Sequence, residues 1–200
     1  DRSVSRGLGD VYKRQLREVL PQVACLSILV MPAVALLPAI SLKGSELMSF
    51  GSMSSGLGFG AVAAAVLMQR NRLIIHHVTT VWTGGWVTCI AFAVLPALET
   101  VTSQWLCALV AGGSLTFALA AANNLVQCKA PDIYRGRFSA MYLAVMLGLV
   151  PVGQLILGFA SEQFTAVVAV RACAVIAMVL MVLFAFLFSI SKAEETVGPD

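Results

Sequence analysis

The stretch Asn123–Gly158, NNLVQCKAPDIYRGRFSAMYLAVMLGLVPVGQLILG, decides how this chain folds. All of its charge sits between Lys129 and Arg137, and the chain on either side is uncharged, over residues 100–128 before it and 138–161 after it. A helix needs about 20 predominantly apolar residues to cross a bilayer. Each flank is therefore long enough to span, and the charged segment between them is a short loop at the membrane surface. Pro131 fixes that boundary: it has no amide proton and disfavours helical geometry at Ala130, so the preceding helix stops there. Asp132 is placed to cap a following turn and to meet Arg135 three residues on, and Gly136 permits a sharp turn into the next helix.

Outward from this hairpin, uncharged runs recur at 19–42, 47–69 and 73–98, and a last run at 163–191 is interrupted only by Arg171. In hydrocarbon only a helix or a closed barrel satisfies its own backbone, and the strict alternation of barrel strands is absent. The expected fold is all-α and integral to a membrane, with six transmembrane helices in residues 16–190 and a short tail at 191–200. Composition agrees, because 59% hydrophobic and 12% charged residues, with a mean hydropathy of +0.90, are too apolar for a water-soluble domain. A net charge of +3 gives no basis for nucleic-acid binding. Residues 1–15, DRSVSRGLGDVYKRQ, are polar and basic and lack the apolar core of a signal peptide. They look like translated adapter sequence, and the expectation is a non-native leader fused near Leu16 to part of a longer protein.

All 13 basic residues except Lys43 and Arg171 fall on one side of the six alternating spans. Basic residues are retained in the cytoplasm, so both termini are expected there. Cys25, Cys89, Cys107, Cys128 and Cys173 are scattered through apolar runs, with no CxxC pair and no histidine at ligand spacing. They read as small buried hydrophobes, and no metal or other cofactor is expected.

Small residues recur at four-residue steps, at Ser52, Gly56, Gly60 and Ala64, at Gly112, Thr116, Ala120 and Asn124, and at Ala140, Ala144 and Gly148. Such stripes let helices approach closely where no hydrophobic force acts between them. Helix packing and the lining of a substrate path are both open readings of them. In the fifth run Pro151 frees a carbonyl while Gly148 and Gly153 remove bulk around it, which marks a flexible point or an ordinary kink. The first run, with Pro21, Pro32 and Pro38, is expected to be irregular.

The quoted stretch resembles the helix 10, loop and helix 11 region of major facilitator superfamily transporters. It looks most like the drug and siderophore exporter branch, the relatives of the enterobactin exporter. The matching pattern is Gln127, then Pro131, Asp132, Arg135, Gly136 and Arg137, followed by Gly148, Pro151 and Gly153. The resemblance implies that residues 16–190 are helices 7–12, the second half of a twelve-helix fold, with a missing N-terminal half as partner. It further implies a secondary exporter of a small molecule in a bacterial inner membrane, with the proton as coupling ion and no enzymatic activity. Within such a transporter the loop motif would be a charge latch that biases inward-open against outward-open states. Read without the family, the same loop is a basic anchor. After the second run the chain reads Gln69, Arg70, Asn71 and Arg72, then His76 and His77, where the family usually carries an acidic-plus-basic pattern. The histidines read as interfacial residues.

Polar side chains in hydrocarbon are costly and tend to face cavities. Gln154, near the middle of the fifth run, is the leading candidate to line a substrate path. Asn123 and Asn124 lie close to the cytoplasmic end, where they line the path or satisfy helix-end carbonyls. Arg171 lies about 9 Å from the outer end by helical rise, within snorkelling reach. No acidic residue sits at a helix centre, so a proton carrier is expected in the other half. An uptake permease of the same superfamily is the alternative. An intramembrane protease would need a serine facing a histidine, and the sequence has no GxSG while His76 and His77 lie at the wrong depth for Ser52.

Overall fold

In the computed structural model, residues 19–41, 47–70, 78–129 and 135–196 are described, and they are almost wholly helical. Among the described residues, six helices are long and apolar enough to cross a membrane. We label them α1 (Val19–Ile40), α2 (Leu47–Arg70), α3 (Val78–Val94), α4 (Val101–Lys129), α5 (Arg135–Gln163) and α6 (Ala166–Thr196). Their order and extents follow the uncharged runs of the sequence, with no strand among the described residues.

The irregularity expected of α1 is present and larger than its prolines explain. The helix passes through a π-helical segment, Leu26–Val30, into a 3-10 segment, Met31–Leu36, and returns to α geometry at Leu37–Ser41. Pro32 sits in the first turn of the 3-10 segment, where its missing amide costs least. The π segment contains no proline at all. Helix α5 is divided at Leu149 into Arg135–Gly148 and Val150–Gln163, with Pro151 at the start of the second part. Helix α3 ends in a 3-10 turn, Leu95–Ala97, that contains Pro96.

Packing follows two different chemistries. On one side, α2 lies against α4 through glycines. A side chain at Gly60 would run into the carbonyl of Leu109 and lie 2.8 Å from the amide nitrogen of Gly113. One at Gly112 would run into Leu57, and one at Gly56 would lie 2.6 Å from the carbonyl of Trp105. The two backbones therefore touch directly, which is the close approach that small residues permit where lipid removes any hydrophobic drive. Elsewhere the core is ordinary apolar interdigitation. One cluster joins α1, α3 and α6 through Leu26, Phe92, Ala177 and Met181, and a second, near the Val19 end of α1, joins Val23, Val81, Val126 and Tyr142.

Candidate functional site

The crossing of α1 and α5 brings together the two interrupted helices of the bundle. Gly153 of α5 is buried against α1, where an added Cβ would collide with the carbonyl of Ile28 and lie 2.6 Å from Cγ of Pro32. The sequence explains the fit from both sides. Pro32 has no amide hydrogen to offer the Ile28 carbonyl four residues back, and only glycine lets α5 approach that carbonyl. Of the three residues read as a flexible point, Gly148 is at the break, Pro151 opens the second part and Gly153 makes the crossing.

Gln154 follows Gly153 and is exposed on the surface of the bundle, and it makes no side-chain hydrogen bond among the described residues. Ala140, Ala144, Gly148 and Pro151 are exposed as well, so one face of α5 presents small residues and a carboxamide that the six helices leave uncovered. Arg171 is half-buried in the second turn of α6. Asn123 and Asn124 are half-buried in the last turns of α4 and are used locally. Gln127 donates from Nε2 to Oδ1 of Asn123 at 3.0 Å, and the Cys128 thiol reaches Oδ1 of Asn124 at 3.1 Å. Helix α4 ends at Lys129, two residues before Pro131. Pro131 and Asp132 lie outside the described residues, as do His76 and His77. Arg135 and Arg137 are exposed at the start of α5. Gly136 lies between them inside the first turn of α5, with no left-handed backbone and open space around it.

A cleft of about 360 Å³ lies between α2, α3 and α4; of the residues read in the sequence it takes Gly60 and Ala64 of the α2 stripe, and none of Gln154, Asn123, Asn124 and Arg171 lines it. Its walls include Gly60, Ala64, Gly84 and Gly113, and its polar contribution comes from Thr83 and Ser114. Behind it the hydroxyls of Thr88 and Ser114 are 2.8 Å apart, and Thr88 donates to the carbonyl of Gly84 at 2.7 Å. These hydroxyls are satisfied and carry no charge, so the cleft suits aliphatic groups and offers nothing for proton transfer. Among the described residues no cluster of three histidines, cysteines or carboxylates is placed to hold a metal.

Two polar residues that were not singled out in the sequence stand out in the structure. Gln22 is fully buried with neither amide atom paired among the described residues, and the Ser27 hydroxyl is buried and unpaired among them too. Tyr142, also buried, donates its hydroxyl to the carbonyl of Leu119 at 2.8 Å and ties α5 to α4. Position within a run could flag Gln22 as polar, but no single-sequence signal shows that its side chain has lost water.

Compared with known families, residues 7–199 match the one described as transmembrane secretion effector, which spans almost the whole chain. No curated protein and no solved structure matches.

Proposed function

The chain belongs to the transmembrane secretion effector family of major facilitator superfamily transporters, and from that membership we propose that it is the second half of a twelve-helix exporter. In this reading a small molecule, of the drug or siderophore class, binds between this bundle and a first half, and protons moving inward drive its exit. The membrane is a bacterial inner membrane, with both termini cytoplasmic and Arg135 and Arg137 at the loop that biases the two access states.

The observation that carries the reading is the uncovered face of α5. A carboxamide in the middle of a span is expensive in lipid, and broken helices near the midplane are where transporters build their sites. Gln154 has both features, since it is exposed, unpaired and one residue beyond the crossing of the two interrupted helices. The small residues that precede it leave room for a ligand or for a second helix to come close.

The test is Gln154→Leu in the full-length transporter. Substrate profile or apparent affinity should change while the amount of protein in the membrane stays near normal. If Gln154 only bridges two helices, its loss costs about 0.6 kcal/mol on average and up to about 2. Detergent stability would then fall with transport per folded molecule unchanged across several substrates, and Gln154 would leave the site.

A further inference from the structure

The unpaired amide of Gln22 and the π-helical segment that follows it belong to one device. Gln22 is fully buried, and its neighbours Val19, Val23 and Leu26 are each at most 1% exposed. Neither its Nε2 nor its Oε1 has a partner among the described residues, although a carboxamide can donate twice and accept twice. Four residues later α1 leaves α geometry for the π segment Leu26–Val30, which holds the second unpaired side chain, Ser27. A π turn carries one residue more than an α turn, and isolated π turns inside helices are frequent at functional sites.

The geometry of that extra residue has a definite consequence. If the segment relaxed to α-helical hydrogen bonding, each residue on its N-terminal side would take the angular place now held by the residue before it. That is a rotation of about 100°, one residue's share of an α turn, with a lengthening of about 1.5 Å. Gln22 would come to the direction now taken by Pro21. Pro21, Ala24 and Ile28 form the half-exposed stripe of α1, whereas Gln22, Val23 and Leu26 are buried. Relaxation therefore carries the amide from an apolar enclosure to the open side of the helix.

We propose that Leu26–Val30 is a register joint, which holds Gln22 buried and unpaired in one conformation and delivers it to the open side of α1 in another. The proposal draws on the transport reading only for the need of two conformations. An orphaned amide raises the free energy of the conformation that buries it, and so favours the register in which it is wetted.

Two measurements test the joint in the full-length protein. Gln22→Met keeps the length of the side chain and removes its polarity. It should raise the melting temperature in detergent by about 2–4 °C and slow the exchange between conformations. A lower melting temperature would mean that Gln22 is satisfied where it lies, and would overturn the proposal. In a background without native cysteines, Gln22→Cys should react slowly with a membrane-impermeant thiol reagent applied to the protein in detergent. Deleting Leu29 from that variant removes the extra residue of the π turn, so the α-helical turn that remains keeps position 22 in its buried register, and the labelling rate should fall at least about tenfold, because labelling follows the population of the open register. Equal rates with and without the deletion would overturn the joint, and a deletion variant that does not fold leaves the decision to the melting temperature of Gln22→Met. Labelling needs no substrate, so a chain that labels as expected but transports nothing would remove the transport reading and keep the joint.

Discussion

Helices α2 and α5 carry the same kind of sequence stripe and meet opposite fates. Gly56 and Gly60 of α2 are pressed against the backbone of α4, while Ala140, Ala144 and Gly148 of α5 face outward with nothing from the bundle on them. Three residues of α5 are buried, Tyr142, Gly153 and Leu157, whereas about half of α1 and α3 is enclosed. A small-residue stripe thus specifies that something will come close, and leaves open what it is. In α2 the partner is within the bundle. In α5 the bundle uses one narrow edge, at Tyr142, Gly153 and Leu157, and leaves the stripe uncovered.

Substitutions that fill each stripe measure the contrast. Gly60→Leu forces a side chain into the α4 backbone, which cannot rotate away, and should cost about 3 kcal/mol, at the upper end of overpacking. Unfolding in detergent would show it, and a cost below about 1 kcal/mol would mean that α2 and α4 are not locked together. Gly153→Ala meets one carbonyl and a proline ring edge, so a loss of about 1–3 kcal/mol is expected in the same assay. Tyr142→Phe removes one buried hydrogen bond to Leu119 and should cost about 1 kcal/mol. That value separates the narrow edge of α5 from the glycine seam of α2. Ala144→Leu should stay within about 0.5 kcal/mol of the parent, because no neighbour in the bundle is displaced. The same variant should impair transport if the stripe receives a substrate or a partner helix. Normal transport would assign the stripe to lipid. Last, Arg135→Ala with Arg137→Ala should leave membrane abundance unchanged, since surface charges contribute little to stability. Its effect should appear in transport; a parallel fall of both quantities would make the pair an anchor.

The six spans were legible because length and the absence of charge are enough to define them. Boundaries were less so: α5 begins at Arg135 and not at the first uncharged residue, since a basic residue is tolerated in the first turn at a membrane surface. Pro32 and Pro151 announced irregular helices, and the partner of Gly153 could not be read because it is a backbone carbonyl on another helix. The π segment had no signal, as LSILV is unremarkable apolar sequence. Gln22 lies near the start of its run, where a polar residue looks interfacial, and only the packing of α1 among its neighbours shows that it is enclosed. Gln154 was legible as a polar residue in a span, but Asn123 and Asn124 had their partners, Gln127 and Cys128, one turn away in the same helix.

The end of the glycine seam near Trp105 also has an optical consequence. Trp105 of α4 donates its indole N–H to Oγ of Ser55 at 3.2 Å, and its ring lies 6.4 Å from that of Phe59, both residues of α2. The chain has three tryptophans, and the other two, Trp82 and Trp86, are on α3. With those two replaced by phenylalanine, the emission of Trp105 becomes a gauge of the gap between α2 and α4. Any movement that parts the two backbones breaks its hydrogen bond and changes the colour of the light, without a dye or a label.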